Sequence, residues 1–176
     1  DNTFSAAVAF NTSGGVLLDV EINDSTAFEL PTLTVTRDLT VTAGDDITDS
    51  GTVTVGRNLA ATTDASDGVI TLNQLAVAGS IALTTDGTGN ATVVNDHATG
   101  IEFAASTIGG ALSATATAGN ITDSGVLRIT GASTFTVAAG QSILLTESST
   151  FAAVTFAASG VGGVLLDVEI NDSKLF

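Results

Sequence analysis

Apolar and polar residues alternate with a period of two along much of this chain. Val16, Leu18, Val20 and Ile22 alternate with Leu17, Asp19, Glu21 and Asn23. Leu33, Val35, Leu39 and Val41 alternate with Thr34, Thr36, Asp38, Thr40 and Thr42, and Arg37 interrupts the apolar set, which marks a bend. Val53 and Val55 alternate with Thr52 and Thr54. This is the pattern of strands with one face in a core and one in water. It predicts strands over Val16–Ile22, Leu33–Val41, Thr52–Val55 and Val164–Ile170. Threonine is abundant, and its branched β-carbon suits a pleated surface better than a helix. Turn clusters separate the strands, among them Ala43-Gly44-Asp45-Asp46, Asp86-Gly87-Thr88-Gly89-Asn90 and Ala118-Gly119-Asn120. Glycine supplies positive φ there, and Asn and Asp bond to their own backbone. The one proline, Pro31, stands at a strand entrance, where a missing N–H does least harm.

The strands recur. GGVLLDVEINDS at Gly14–Ser25 returns letter for letter at Gly162–Ser173, 148 residues later. ITDSG at Ile47–Gly51 returns at Ile121–Gly125, an offset of 74 that is half of the longer one. FAAS-x-[IV]-G-G-[AV]-L occurs at Phe103–Leu112 and Phe156–Leu165. The whole chain, 1–176, therefore reads as one repeat segment: a 148-residue unit with a sub-repeat of about 74, plus the start of the next unit. It is expected to be a window on a longer repetitive protein.

A finer period of apolar-x-apolar pairs begins at Leu18, Leu39, Leu59, Ile81, Leu112, Phe135 and Leu166. It divides the unit into six coils. Two of them are long, with insertions expected near Asn90–Ser106 and Glu147–Ser159. Coils of roughly 20–30 residues are too short for propeller blades and suit one turn of a parallel β-helix. The predicted fold class is an all-β parallel β-helix, a solenoid of about six to seven coils. Six coils at the ~4.8 Å strand spacing would rise roughly 29 Å per unit.

Charge then narrows the partners. Four basic residues stand against 19 acidic ones, a net of −15. Such a surface repels nucleic acid and anionic membranes, because phosphate binding needs clustered Lys and Arg. No apolar run is long enough to span a bilayer, so membrane insertion is not expected. Without cysteine there is no disulfide framework and no thiolate metal site. The absence of Trp and Tyr removes the usual stacking anchors for carbohydrate.

AGNITDSGVLRITGASTFTV and AGDDITDSGTVTVGRNL resemble the repeat regions of filamentous-haemagglutinin-like exoproteins and of other giant bacterial adhesins. The resemblance implies a right-handed β-helix, secretion to the cell surface, and a shaft role in adhesion or filament building. The secretion domain of that family carries Asn-Pro motifs, which this chain lacks.

Five kinds of candidate site remain. Asp45, Asp46 and Asp49 precede a strand in one half unit, and Asp123 is a counterpart in the other. Stacked carboxylates of this kind would offer oxygen ligands to calcium, while turn chemistry accounts for them without a metal. Asn23, Asn95 and Asn171 are candidates for an amide ladder, or for strand-ending Asx turns. His97 has Asp96 and Glu102 near it in sequence but no nucleophile, which suits a solvent-exposed loop residue. The Asp19/Glu21 pair recurs as Asp167/Glu169, which reads as a repeated surface pattern and not as one glycosidase-like acid pair. The Thr-x-Thr steps resemble ice-binding arrays, but outward Asp and Arg residues break the regular face that function needs.

The expected role is therefore non-enzymatic. A large extracellular or cell-surface protein would use this module in a filament, stalk or adhesin shaft. Its main partner would be a further copy of itself, head to tail along the axis. The predicted stacking residues are Val16, Leu18, Val20 and Ile22 at one end and Val164, Leu166, Val168 and Ile170 at the other, all facing inward, with Asp19, Glu21, Asp167 and Glu169 outside. The alternative is a module on such a shaft that binds cell-surface glycans or a partner cell. No cofactor is expected apart from the candidate calcium.

Overall fold

A computed structural model describes residues 2–4, 6, 8–160 and 162–173. The chain winds as a solenoid. Its first coil contains β1 (Val20–Asp24), β2 (Phe28–Leu30) and β3 (Leu33–Val35). The second repeats it as β4 (Leu39–Ala43), β5 (Ile47–Asp49) and β6 (Val53–Val55). In the third, β7 (Leu59–Ser66) lengthens and the other two sides fuse into β8 (Ile70–Val77). The fourth has β9 (Ser80–Asp86) and β10 (Ala91–Asn95). The fifth has β11 (Gly100–Phe103), β12 (Ser106–Ile108) and β13 (Leu112–Ala116). The sixth has β14 (Asn120–Asp123), β15 (Leu127–Ile129) and β16 (Ala132–Ala138). The seventh has β17 (Ile143–Ser149) and β18 (Ala153–Ser159), and β19 (Val168–Asp172) opens the eighth.

Every strand pair among the described residues is parallel and joins one coil to the next. The fold is the parallel β-solenoid that the alternation predicts. Two sheets form, one following β1-β4-β7-β9-β11-β14-β17-β19 and one following β2-β5-β8-β10-β13-β16-β18. Seven steps therefore separate β1 from β19, so the 148-residue unit has seven coils and not six. The long coils with insertions do not exist. Leu112 and Phe135 belong to the second sheet, whereas Leu39, Leu59 and Ile81 belong to the first. Counting both as one column skips half a turn at each change of sheet.

The same half turn explains the sub-repeat. Advancing nine strands, from β1 to β10, β5 to β14 or β8 to β17, moves each strand to the opposite sheet. One 74-residue half unit is thus three and a half coils. The two halves are related by half a rotation about the axis and a rise of roughly 17 Å at the usual strand spacing. Only two halves together bring a residue back to its starting face. That return is not perfect. Val20 lies in a column with Leu39, Leu59, Ile81 and Phe103, while Val168 lies above Ile143, Ile121 and Ile101. The unit lags two residues behind seven full turns.

Inward columns make a narrow core. Leu39, Leu59 and Ile81 stack in one column and Val41, Ala61 and Leu83 in the next, all buried. Where the bend passes from one sheet to the other, larger side chains fill the section. Phe103 packs edge-on against Phe135 at 6.2 Å, and Phe135 stacks on Phe156. Each fully buried Leu or Ile contributes about 1.5–3 kcal/mol relative to exposure. Outside, Thr42, Thr62, Thr84 and Thr107 form a threonine column that Arg128 interrupts before Thr150.

The expected strands shift at their edges. Leu33–Val41 is two strands with a corner at Arg37, the position that breaks the alternation. Val16–Ile22 becomes a strand only from Val20, and Val164–Ile170 only from Val168. Val16 and Leu18 are exposed at 67% and 49%, so neither faces inward. Leu17 is the residue packed against the core, bridged to buried Val35. At the other end Val164 and Leu166 are likewise exposed, and Leu165 packs inward. The corner at Leu18-Asp19 shifts the alternation by one residue, from Leu17 to Val20, whereas the Arg37 corner keeps it, with Val35 and Leu39 both buried.

Candidate functional site

The two copies of the twelve-residue motif sit at opposite ends of the solenoid. In the first copy β1 is covered by β4, with Val20 beside Leu39 and Ile22 beside Val41. Backbone bonds run from Val20 N–H to Asp38 C=O at 2.9 Å and from Arg37 N–H to Leu18 C=O at 2.8 Å. Asp19 pairs with Arg37, and its other oxygen accepts the Asp38 N–H at 3.3 Å. Ile22 is only 5% exposed.

In the second copy β19 lies on β17, and among the described residues no strand lies on its outer edge. Val168 and Ile170 stand above Ile143 and Leu145, so they face inward, yet they are 39% and 37% exposed. Asp167 accepts the N–H of its neighbour Val168 at 2.9 Å, where Asp19 accepts the next coil. Identical sequence thus makes two sets of contacts, and the difference is the covering coil. Asp19, Glu21, Asp167 and Glu169 are all exposed, as predicted. Lys174, Leu175 and Phe176 lie outside the described residues.

The contacts of Asn2 and Thr3 with Ser25 match those of Ser149 and Thr150 with Ser173. Ser25 N–H donates to Asn2 C=O at 2.7 Å, and Ser173 N–H donates to Ser149 C=O at 2.7 Å. The hydroxyls of Thr3 and Ser25 are 2.9 Å apart, and those of Thr150 and Ser173 are 3.0 Å apart. Phe4 takes the place of Phe151, but it is 40% exposed where Phe151 is buried, because no coil lies below it. Apolar recesses open at both ends, one lined by Phe4, Phe10 and Ile22 and the other by Phe151, Phe156 and Ile170.

The acidic residues proposed for calcium lie on two sheets. Asp45 and Asp46 are exposed in one turn; Asp49 is in β5 and Asp123 in β14, on the opposite side. Asp46 accepts Val69 N–H at 2.8 Å. Asp49 accepts the N–H groups of Asn73 and Gln74 at 3.0 and 2.8 Å. Asp123 makes the same clasp to Thr146 N–H at 2.7 Å and Glu147 N–H at 3.3 Å. Asp49 and Asp123 thus hold the middle of the next coil's long strand, and Asp46 holds the entrance to one. Among the described residues no three acidic or histidine side chains converge as metal ligands.

The clasp also accounts for the ITDSG motif. Its isoleucine is buried, its aspartate grips the coil above, and its glycine lets the coil below approach. A β-carbon on Gly51 would collide with Thr32, and one on Gly125 with the backbone of Ala105.

The amide ladder does not form. Asn23 and Asn171 are exposed, while Asn95 is buried on the other sheet. Asn95 instead corresponds to Asp24, since each ends its strand with an inward polar side chain. Asn95 accepts Val77 N–H and donates to the carbonyls of Val77 and Gly100, closing its corner. Asp24 accepts from Thr26 N–H, Thr26 hydroxyl and Phe4 N–H. Burial pushes the Asp24 carboxyl up, but these three bonds together hold it below the usual range. His97 is a half-buried loop residue bonded to Thr99. Asp96 turns to Thr117, so the sequence neighbours form no acid–base pair.

No curated protein and no solved structure matches the chain. Two consecutive matches, over residues 17–85 and 88–158, fall on the two half units and cover most of the sequence, and they show that the chain belongs to a family described as repeats of unknown function (DUF5649).

Proposed function

We propose that this chain is a structural module that stacks end to end along the solenoid axis. It would build the shaft of a filament, stalk or adhesin at a cell surface. The observation that carries this reading is the double placement of Gly14–Ser25 and Gly162–Ser173. One copy is covered and the other presents the same strand with an open edge. An open parallel edge is a template for another strand. The apolar face left by Val168 and Ile170 adds a driving force for covering it. The occupant of that edge is a further repeat of the same sequence, in the same chain or a neighbouring copy. Such head-to-tail contacts need not close into a ring, so they extend. The resemblance to giant adhesin repeats supports the extracellular setting, and the acidic surface suits a shaft that must not bundle through opposite charges. Electron microscopy of concentrated protein tests the reading. Rods of one solenoid's width are expected. A population that remains single, short particles at every concentration would refute it.

A further inference from the structure

We propose that the outer face of β10, β13, β16 and β18 binds ice. This face carries a two-dimensional register of small hydroxyl side chains. Thr92, Ser113, Thr134 and Thr155 stand directly beside one another on four successive coils. The column continues backwards through Thr71 and Thr48, so it crosses six coils without a gap. Two residues along, Val94, Thr115, Thr136 and Ala157 form a second column. Neighbours lie ~4.8 Å apart across the strands and roughly 6.7 Å apart along them. Among the described residues, the hydroxyls of both columns bond to no protein atom. Threonines elsewhere are bonded within the fold: Thr63 and Thr85 donate to glycine carbonyls, and Thr88 donates to Asp67.

The face is also uncharged, in a chain of net −15. β10, β13, β16 and β18 contain no Asp, Glu, Lys or Arg. Outward Asp and Arg residues speak against a regular face in the sequence, but the fold sets Asp64, Glu102, Arg128 and Glu147 on the other sheet. The threonine column there runs beside carboxylates, with Asp64 two residues after Thr62 and Asp86 two after Thr84. A carboxylate gives up its hydration only at high cost. Threonine is different: its branched β-carbon restricts χ1, so methyl and hydroxyl hold their places from coil to coil. Each hydroxyl both donates and accepts, as a lattice water does. Ice presents oxygens that repeat in two directions on the scale of this grid, and many weak contacts made together bind far more tightly than one. Other occupants fit worse. A protein partner needs aromatic or arginine anchors, and the outer face has none. A crystalline polysaccharide needs outward rings to stack on, whereas Phe135 is buried and Phe156 packs against the core.

Slow freezing of a dilute solution of the chain tests this. The fraction carried into the growing ice is measured, together with the gap between freezing and melting points of a single crystal. The chain should enter the ice, hold that gap open and facet the crystal, where an unrelated acidic protein is rejected into the liquid. Thr134→Lys sets a long charged side chain in the middle of the grid and should abolish all three effects. Ser113→Lys, one coil away on an exposed residue, should do the same and guards against a folding defect in the first variant. Thr62→Lys, on the threonine column of the other sheet, should behave like the parent chain. Circular dichroism checks that each variant keeps the β fold. Rejection of the parent chain from ice would overturn the proposal. So would ice binding that survives in folded Thr134→Lys and Ser113→Lys, or that is lost equally in Thr62→Lys.

Discussion

At the scale of single residues, several aspartates in this solenoid act as acceptors for the backbone of the next coil. Asp38 accepts Asn58 N–H at 3.0 Å, Asn58 accepts Ser80 N–H at 3.1 Å, and Asp49 and Asp123 clasp two donors each. Asp49→Ala and Asp123→Ala should each cost about 1 kcal/mol in urea denaturation, the usual net value of lost hydrogen bonds near water. Asp45→Ala should cost little, since Asp45 is exposed and outside the clasp. A calcium site would behave differently: added calcium would raise the melting temperature, and Asp45→Ala would abolish that rise. Asp24 yields a pH prediction. Its carboxyl is held below the ordinary value in the folded chain. The stability it supplies is therefore present above the unfolded carboxylate pKa of about 4 and lost as pH falls through the lower folded value. Hydrogen exchange at Phe4 and Thr26 should accelerate in that acidic window before the central coils respond. Uniform exchange along the chain would contradict it. The sequence displays Asp24 beside Asn23 but not which of the two turns inward. The expected column used Asn23, Asn95 and Asn171, whereas the buried positions are Asp24 and Asn95. The Asn-Asp spelling aligns 23 with 95, and the structure aligns 24 with 95. One residue of slip reverses the facing of a strand.

At the scale of elements, alternation was a reliable guide within strands and a poor one across corners. Leu33–Val35 and Leu39–Ala43 keep the predicted inward residues, because each alternation is read inside one strand. Val16 and Leu18 fail because the reading crosses the corner at Leu18-Asp19. A corner inserts residues that belong to neither parity, and only Arg37 flagged such a break in the sequence. Coil length had the same weakness. Periodicity cannot tell two sheets with the same apolar columns apart, so Leu112 entered the wrong column. The elements make their own predictions. Gly51→Ala places a methyl group against Thr32 and should cost about 1–3 kcal/mol, the typical penalty for overpacking. Gly15→Ala, with nothing within 4 Å of the added carbon, is the control and should be near neutral. Ile81→Ala opens a cavity in a fully buried column and should cost about 2–5 kcal/mol. Equal losses from Gly51→Ala and Gly15→Ala in thermal denaturation would remove the close-approach explanation of the motif.

For the whole molecule, the half unit of three and a half coils sets what an assembled shaft should look like. Seven coils per 148 residues give an axial repeat of roughly 34 Å, not the 29 Å of a six-coil unit, at the usual strand spacing. Half of it, roughly 17 Å, separates half units that display the same motif on opposite faces. A filament would therefore present each repeated outer feature alternately on two sides, as a two-fold screw does. The two-residue lag of Val168 behind the Val20 column adds a slow twist from unit to unit. Labels placed through Ser50→Cys and Ser124→Cys, both exposed and 74 residues apart, should project from opposite sides of one particle. Fibre diffraction of aligned material should show the ~4.8 Å meridional spacing with layer lines indexing on roughly 34 Å. Charge then governs how such shafts pack. With a net of −15 per 176 residues, neighbouring rods repel at low salt over a Debye length of roughly 10 Å at 0.1 M. Screening should therefore increase side-to-side bundling while leaving the axial repeat unchanged, because backbone bonds and apolar contacts hold one coil to the next and an exposed ion pair such as Asp19–Arg37 adds little. An axial repeat near 29 Å, labels on one side, or rods that fall apart into monomers as salt rises would each contradict this assembly.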